Sequence, residues 1–205
     1  MSNHIISSIE QLEAVYDEVN PISLAKETDY LTPAYQSWLE KSAFFALATS
    51  GPEGLDCSPR GDQEGTLFKI VDNRTLLIPD RRGNNRIDSL RNMLRDPRIA
   101  TMFLIPGISE CLRINGTATL STDPELTGQF DVDGKIPRVV IILKIEAVYF
   151  QCARAIIRSG LWKPENIKSK DEVPTAGAMT KSAKEDFDAA EYDAALPQRQ
   201  KDTLY

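Results

Sequence analysis

The sequence predicts a mainly β domain with added helices, built as an antiparallel barrel or sandwich of six or seven strands. Between residues 43 and 150, short apolar and β-branched runs are bounded by Gly, Pro, Asn and Asp. Most of these runs are joined by short connections, and one helical stretch is inserted among them. A doubly wound parallel sheet would need a helix after nearly every strand, so the pattern favours the antiparallel class. The chain has 205 residues and a mass of 22.9 kDa, the size of one domain with appendages.

The elements follow in order. Ile9, Leu12, Val15, Tyr16 and Val19 recur at helical spacing, with Ser8 as N-cap and Pro21 as terminator. A second amphipathic stretch covers residues 32–42, with Pro33 in its first turn and Tyr35, Trp38 and Leu39 on one face. Residues 44–50 read as a strand closed by Gly51-Pro52-Glu53-Gly54, and residues 55–60 return from that turn. A second hairpin pairs residues 66–71 with 74–79 around Asp72-Asn73. Residues 84–95 carry Ile87, Leu90, Met93 and Leu94 on one helical face. Strands follow at 99–105 and 111–120, the second with Gly116 at a bulge. A short helix starts at Asp123-Pro124, and residues 137–150 form a long Val- and Ile-rich strand.

From Lys163 the chain turns polar, which predicts an extended arm with a short helix near residues 182–195. The organisation expected is therefore a helical segment (1–42) packed on a barrel (43–162), followed by an arm (163–205).

Composition narrows the function. The net charge is −6 and the pI about 5.0, which disfavours a nucleic-acid-sheathing protein. No apolar run approaches the ~18–20 residues of a membrane helix, and the N-terminus lacks a signal-peptide pattern. A cytoplasmic protein is the expectation. Three widely spaced cysteines, Cys57, Cys111 and Cys152, argue against a disulfide framework and a zinc site. His4 is the single histidine, so Ser-His-Asp triads, Cys-His dyads and histidine metal sites are removed. No side chain stands out as a general acid, general base or metal ligand. An enzyme with this sequence would use a cofactor for its reactive group.

Three clusters are candidates for holding one. Between Arg81 and Arg98 there are six arginines against Asp88 and Asp96, a local +4 in an acidic chain. Arg81, Arg82, Gly83, Asn84, Asn85 and Arg86 lead from a strand into a helix, a setting suited to one phosphate group. Arg91, Arg95 and Arg98 read as a solvated helix face. Ser58, Pro59, Arg60 and Gly61 end another strand, where proline releases neighbouring backbone groups and glycine permits close approach. Trp162 follows the last strand and must pack on its own core, a partner or a planar ligand. There is no GxGxxG fingerprint, no GxxxxGK[ST] loop and no HExxH.

The stretches DCSPRGDQEG, TLLIPDRRGNNRIDSLRNMLRDPRIATMFLIPG, LRINGTATLSTDPEL and YFQCARAIIRSGLWKP together resemble the pyridoxamine 5′-phosphate oxidase-related, FMN-binding split-barrel proteins. The resemblance spans roughly residues 25–180. It implies a homodimer of split β-barrels with FMN in the groove between subunits. Ser58, Pro59 and Arg60 would line the flavin ring and ribityl chain, with Pro79 and Asp80 beside them. Asn85 and Arg86 would bind the phosphate, and Trp162 would sit near the flavin, from either subunit.

This chain departs from the true oxidases in two places. It has Ser-Pro-Arg-Gly-Asp where they carry a lysine-ending strand motif, and no histidine near the C-terminus. The resemblance therefore implies an FMN-dependent oxidoreductase with a substrate other than pyridoxamine phosphate. The alternatives are a non-catalytic flavin-sequestering protein, or a barrel holding haem or a deazaflavin; the lack of histidine weakens haem. No nucleic acid or membrane partner is expected. A dimer partner would cover Trp38 or Trp162 and residues 139–143.

Overall fold

The computed structural model describes residues 4–205. Seven antiparallel strands form one sheet: β1 (Phe44–Gly51), β2 (Gly54–Gly61), β3 (Lys69–Asp72), β4 (Thr75–Pro79), β5 (Arg98–Leu104), β6 (Cys111–Ser121) and β7 (Val140–Gln151). Their order is β2-β1-β5-β6-β7-β4-β3, with β2 and β3 left as unpaired edges. This is a split barrel, and the antiparallel expectation is met.

Alternation builds the core. Phe45 and Leu47 of β1, Ile99 and Phe103 of β5, and Leu112 and Ile114 of β6 are buried on one face of the sheet. Along β7 the buried positions run Ile141, Leu143, Ile145 and then jump to Val148. The change of phase has a local cause. Asn115 pairs with Ala147 while Gly116 pairs with Ile145, so Glu146 is the extra residue of a bulge.

The bulge is thus carried by β7, and Gly116 is the residue that lies across from it. A Cβ on Gly116 would stand 1.9 Å from the Lys144 carbonyl oxygen, a backbone atom that cannot step aside cheaply. Gly116→Ala is expected to destabilise the protein by about 1–3 kcal/mol, as overpacking does. A urea denaturation midpoint equal to wild type would show that the ladder relaxes freely there.

Helices close the ends of the sheet. Helix α3 (Pro33–Leu39) starts on a Thr32 cap that accepts from the Tyr35 amide, and inserts Leu39 into the core. Helix α4 (Asp88–Arg95) inserts Leu90 and Met93. Helix α5 (Pro124–Thr127) and the turn after it place Phe130 on the opposite sheet face, against Leu77 and Val140. Strand β4 is covered on both faces as a result.

Several boundaries differ from the sequence expectation. The first helix, α1 (Ile9–Glu13), is only five residues long, and Pro21 opens α2 (Pro21–Ala25) instead of ending a long helix. Ile9, Val15, Tyr16, Val19, Ile22 and Leu24 remain solvent-exposed in the protomer, so helical spacing there marks no buried face. The segment joins the sheet at Thr28, which exchanges backbone hydrogen bonds with Val148.

The arm holds two helices where one was expected. After α6 (Arg154–Ser159) come α7 (Ala176–Ala183) and α8 (Ala189–Asp202), and the expected helix at 182–195 spans the break between them. Asp193 accepts from Thr175 Oγ1 (2.5 Å) and the Gly177 amide (2.7 Å), which locks α7 against α8. No described helix is long and apolar enough to cross a membrane.

Candidate functional site

One large cleft, of about 1340 Å³, opens between β2, the end of β4, the residues leading into α4, and the loop before β7. Nine of the ten predicted site residues line it: Ser58, Pro59, Arg60, Gly61, Pro79, Asp80, Arg81, Asn85 and Arg86. Trp162 does not. Its indole Nε1–H donates to the Ile108 carbonyl at 2.8 Å, outside the cleft lining of its own protomer.

Period two along β2 organises one wall. Asp56, Ser58 and Arg60 are half-buried, whereas Cys57, Pro59 and Gly61 are exposed. Arg60 Nη1 donates to Asp80 at 2.6 Å, a pair whose side chains are about one-fifth exposed. Ser89 of α4 donates to Asp56 at 2.6 Å and lies 3.1 Å from Ser58 Oγ, tying strand to helix. The predicted disruption at Ser58-Pro59 does not occur: Pro59 pairs in register with Ala46, and Gly61 with Phe44. Strand β2 is an edge, where a missing N–H is tolerated.

Arg81 departs from its expected place at the helix entrance. Its Nε donates to Asp62 (2.7 Å) and its Nη1 to the Phe130 carbonyl (2.6 Å). The Asp62 side chain is only 1% exposed, and its other oxygen accepts from the Gln63 amide and the Tyr205 hydroxyl. Burial pushes the Asp62 carboxyl up, but hydrogen bonds from Tyr205, Gln63, Arg81 and Thr66 outweigh it and hold the group below its ordinary value. A buried carboxylate thus captures an arginine that sequence proximity had grouped with Arg86.

The entrance to α4 is also built differently. The helix begins at Asp88, four residues later than expected, because Asn85 (φ +59°) and Ile87 (φ +53°) are left-handed. Ile87 offers no side-chain cap, and Asn84 accepts from the Arg86 amide at 3.0 Å. The Arg86 side chain is 75% exposed and donates from Nε to Asp88 at 2.8 Å. That pair, Asp88 first through its hydrogen bond and then its charge, raises the Arg86 pKa. Asn85 and Arg86 therefore do sit at one corner of the cleft, on a strained turn ahead of uncapped helix amides.

Sequence reading missed Asp62 as a clamp, Ser89 as a bridge, the loop residues Lys135 and Arg138, and Tyr205. Lys135 and Arg138 lie in an irregular loop with no periodicity to flag them. Tyr205 stands 143 positions from Asp62, and no local pattern joins them. Among the described residues, the cleft's Arg82, Lys135 and Arg138 have no ion-pair partner. Arg60 Nε and Arg81 Nη2 are buried without any hydrogen-bond partner. The cleft thus offers donors and positive charge in excess of its own acceptors, which suits an anionic, acceptor-rich ligand. No described cluster of three His, Cys, Asp or Glu residues is arranged to hold a metal.

A split-barrel sheet with such a cleft along β2 and β4 defines a class, and the family comparison agrees. The pyridoxamine 5′-phosphate oxidase family profile matches residues 31–152, and the chain belongs to that family of flavin-binding split barrels. Among solved structures, the chain is similar to HupZ of Group A Streptococcus, at 15% identity and a TM-score of 0.48, over 58% of this chain and 92% of that one. It is also similar to General Stress Protein 26 of Bacillus anthracis, at 12% identity and a TM-score of 0.42, over 56% and 88% of the two chains. A third is an FAD binding protein from Mycobacterium smegmatis, at 12% identity and a TM-score of 0.41, over 60% and 97%. No curated protein matches the chain.

Proposed function

We propose that the protein is a homodimeric FMN-dependent oxidoreductase acting on a small molecule beside the flavin. The observation that carries this is the cleft itself. It joins a compact phosphate corner at Asn85 and Arg86 to a wall made by Ser58, Pro59, Arg60, Pro79 and Asp80. A volume of about 1340 Å³ exceeds the ~300–1,000 Å³ usual for one ligand, leaving room for a second molecule beside a cofactor.

The residues present fit FMN. Arg86 and the amides ahead of α4 would take the phosphate. Ser58 and the partnerless Arg60 Nε would serve polar atoms of the ring or ribityl chain, and Pro59 and Pro79 would give it apolar edges. When bound, the flavin supplies hydride or electron transfer, and the protein's part is to orient it and tune its surroundings. Arg60 is held in place for that by Asp80, and Ser58 by Ser89. FMN is favoured over a dinucleotide because the chain has no pyrophosphate-cradling glycine fingerprint.

The dimer is supported by uncovered apolar surface, but not by the surface expected from sequence. Val140, Ile141 and Leu143 are fully buried in their own protomer, because β7 is a central strand. Exposed apolar residues include Ile9, Tyr16, Ile22 and Leu24 near the N-terminus and Ile157 and Leu161 after β7.

The purified protein is expected to be yellow, to release FMN on denaturation, and to sediment as a dimer. Extracted FAD, or no uptake when flavin-free protein is titrated with FMN, would refute the cofactor assignment. A flavin-saturated monomer would refute the dimer. Pyridoxamine 5′-phosphate is expected to be a poor substrate, since the one histidine lies at position 4.

A further inference from the structure

We propose that Tyr205 is a ligand-contacting residue of the cleft, its ring forming the wall against which the flavin ring packs; this rests on the flavin reading above. Tyr205 lines the same cavity as Ser58, Pro59 and Pro79. Its hydroxyl donates to Asp62 Oδ1 at 2.7 Å, and the Arg81 guanidinium carbon lies 5.3 Å from its ring centroid. A ring fixed at its hydroxyl and by a cation has little rotational freedom left. Such a ring is pre-organised for a planar partner, which lowers the ordering cost of binding.

The surrounding connections single this contact out. Among the described residues, the Tyr205–Asp62 bond is the one hydrogen bond from residues 168–205 to the rest of the protein. The arm is otherwise held together internally, through Asp193 and the Phe187–Tyr192 ring pair at 5.2 Å. Its single polar tether therefore ends on a buried carboxylate inside the cleft. Asp62 is already paired with Arg81, so the phenol is not needed to neutralise it. What the phenol adds is an aromatic ring in the lining of the cleft.

The hypothesis to be separated from this is that Tyr205 only anchors the arm. Flavin emission separates them, because phenol and indole rings in contact quench an excited flavin and a benzene ring does so poorly. The flavin-free full chain and its Tyr205→Ala, Tyr205→Phe and Tyr205→Trp variants are titrated with FMN, reading affinity and the emission of bound flavin together. Wild type should be strongly quenched. Loss of the ring in Tyr205→Ala should weaken binding by about 3- to 10-fold and brighten the bound flavin. Tyr205→Phe should lose less affinity than Tyr205→Ala, since the ring remains without its hydroxyl tether to Asp62, yet be bright. Tyr205→Trp should restore the quenching.

If wild type takes up FMN but no variant changes the emission, the proposal is overturned and the flavin reading stands. Equal losses of affinity in Tyr205→Ala and Tyr205→Phe at unchanged emission overturn it too, in favour of an anchor acting through Asp62. If wild type takes up no flavin, both readings fall. The Phe and Trp variants keep the comparison decisive should Tyr205→Ala loosen the arm.

Discussion

Arg81→Met is expected to destabilise the protein by about 3–5 kcal/mol, because it strands a carboxylate that the fold has buried. The Asp62 side chain is 1% exposed and that of Arg81 14%, so water cannot replace the lost partner. In a chain of this length each kcal/mol moves Tm by about 2–4 °C, which puts the drop at about 6–20 °C. The double replacement Asp62→Leu with Arg81→Met should recover most of it, since an apolar pair in a buried ion pair's place is often neutral or stabilising. A single-variant Tm near wild type would show that solvent reaches the pair.

The same pair sets a pH dependence. The folded Asp62 value lies below the unfolded one, so its stabilising contribution is present in full above the ordinary Asp range of about 4. It is lost as pH falls through the lower, folded value. Below about pH 4 the stability of wild type should therefore fall more steeply with acidification than that of the double variant, which lacks the carboxylate; equal slopes in urea midpoint against pH would refute this.

Arg86→Ala is expected to weaken FMN binding by about 10- to 100-fold, the loss of a charge-assisted contact to phosphate. Riboflavin, which has no phosphate, should lose little. The structure sharpens this expectation, because Asp88 now accepts from Arg86 Nε at 2.8 Å and would be left facing the phosphate unneutralised. Arg95→Ala is the control. Its guanidinium pairs with Glu53 at 3.3 Å from the last turn of the same helix, and it should change neither ligand much. Isothermal titration of both flavins against both variants decides the matter. Equal losses for FMN and riboflavin, or an Arg95 effect matching that of Arg86, would place the phosphate elsewhere.

The antiparallel architecture was legible because period-two burial and short turns are local. Residues 44–50 and 55–60 already read as a hairpin, and β1 and β2 pair from Phe44–Gly61 to Gly51–Gly54. Most of the cleft was legible for a related reason. Residues 58–61 and 79–86 end or follow strands, and strand ends gather where a sheet is split. Helix lengths were read less well. Ile87 and Asn85 take left-handed conformations that nothing in their residue types demands, so α4 starts late.

By itself the sequence determined the fold class and the strand-end segments that line the cleft, because alternation, composition and turn chemistry are properties of neighbouring residues. Only the tertiary structure decided the pairings across the cleft. Arg60 with Asp80 and Arg81 with Asp62 are crossed pairs between β2 and the end of β4, and either aspartate lay equally open to either arginine in the sequence. The same holds for Trp162, drawn away to Ile108, and for Tyr205, brought in from the end of α8 to Asp62. The physical reason is that a buried charge accepts whichever partner the packed backbone delivers within hydrogen-bond distance, and that distance is set by contacts among residues far apart along the chain.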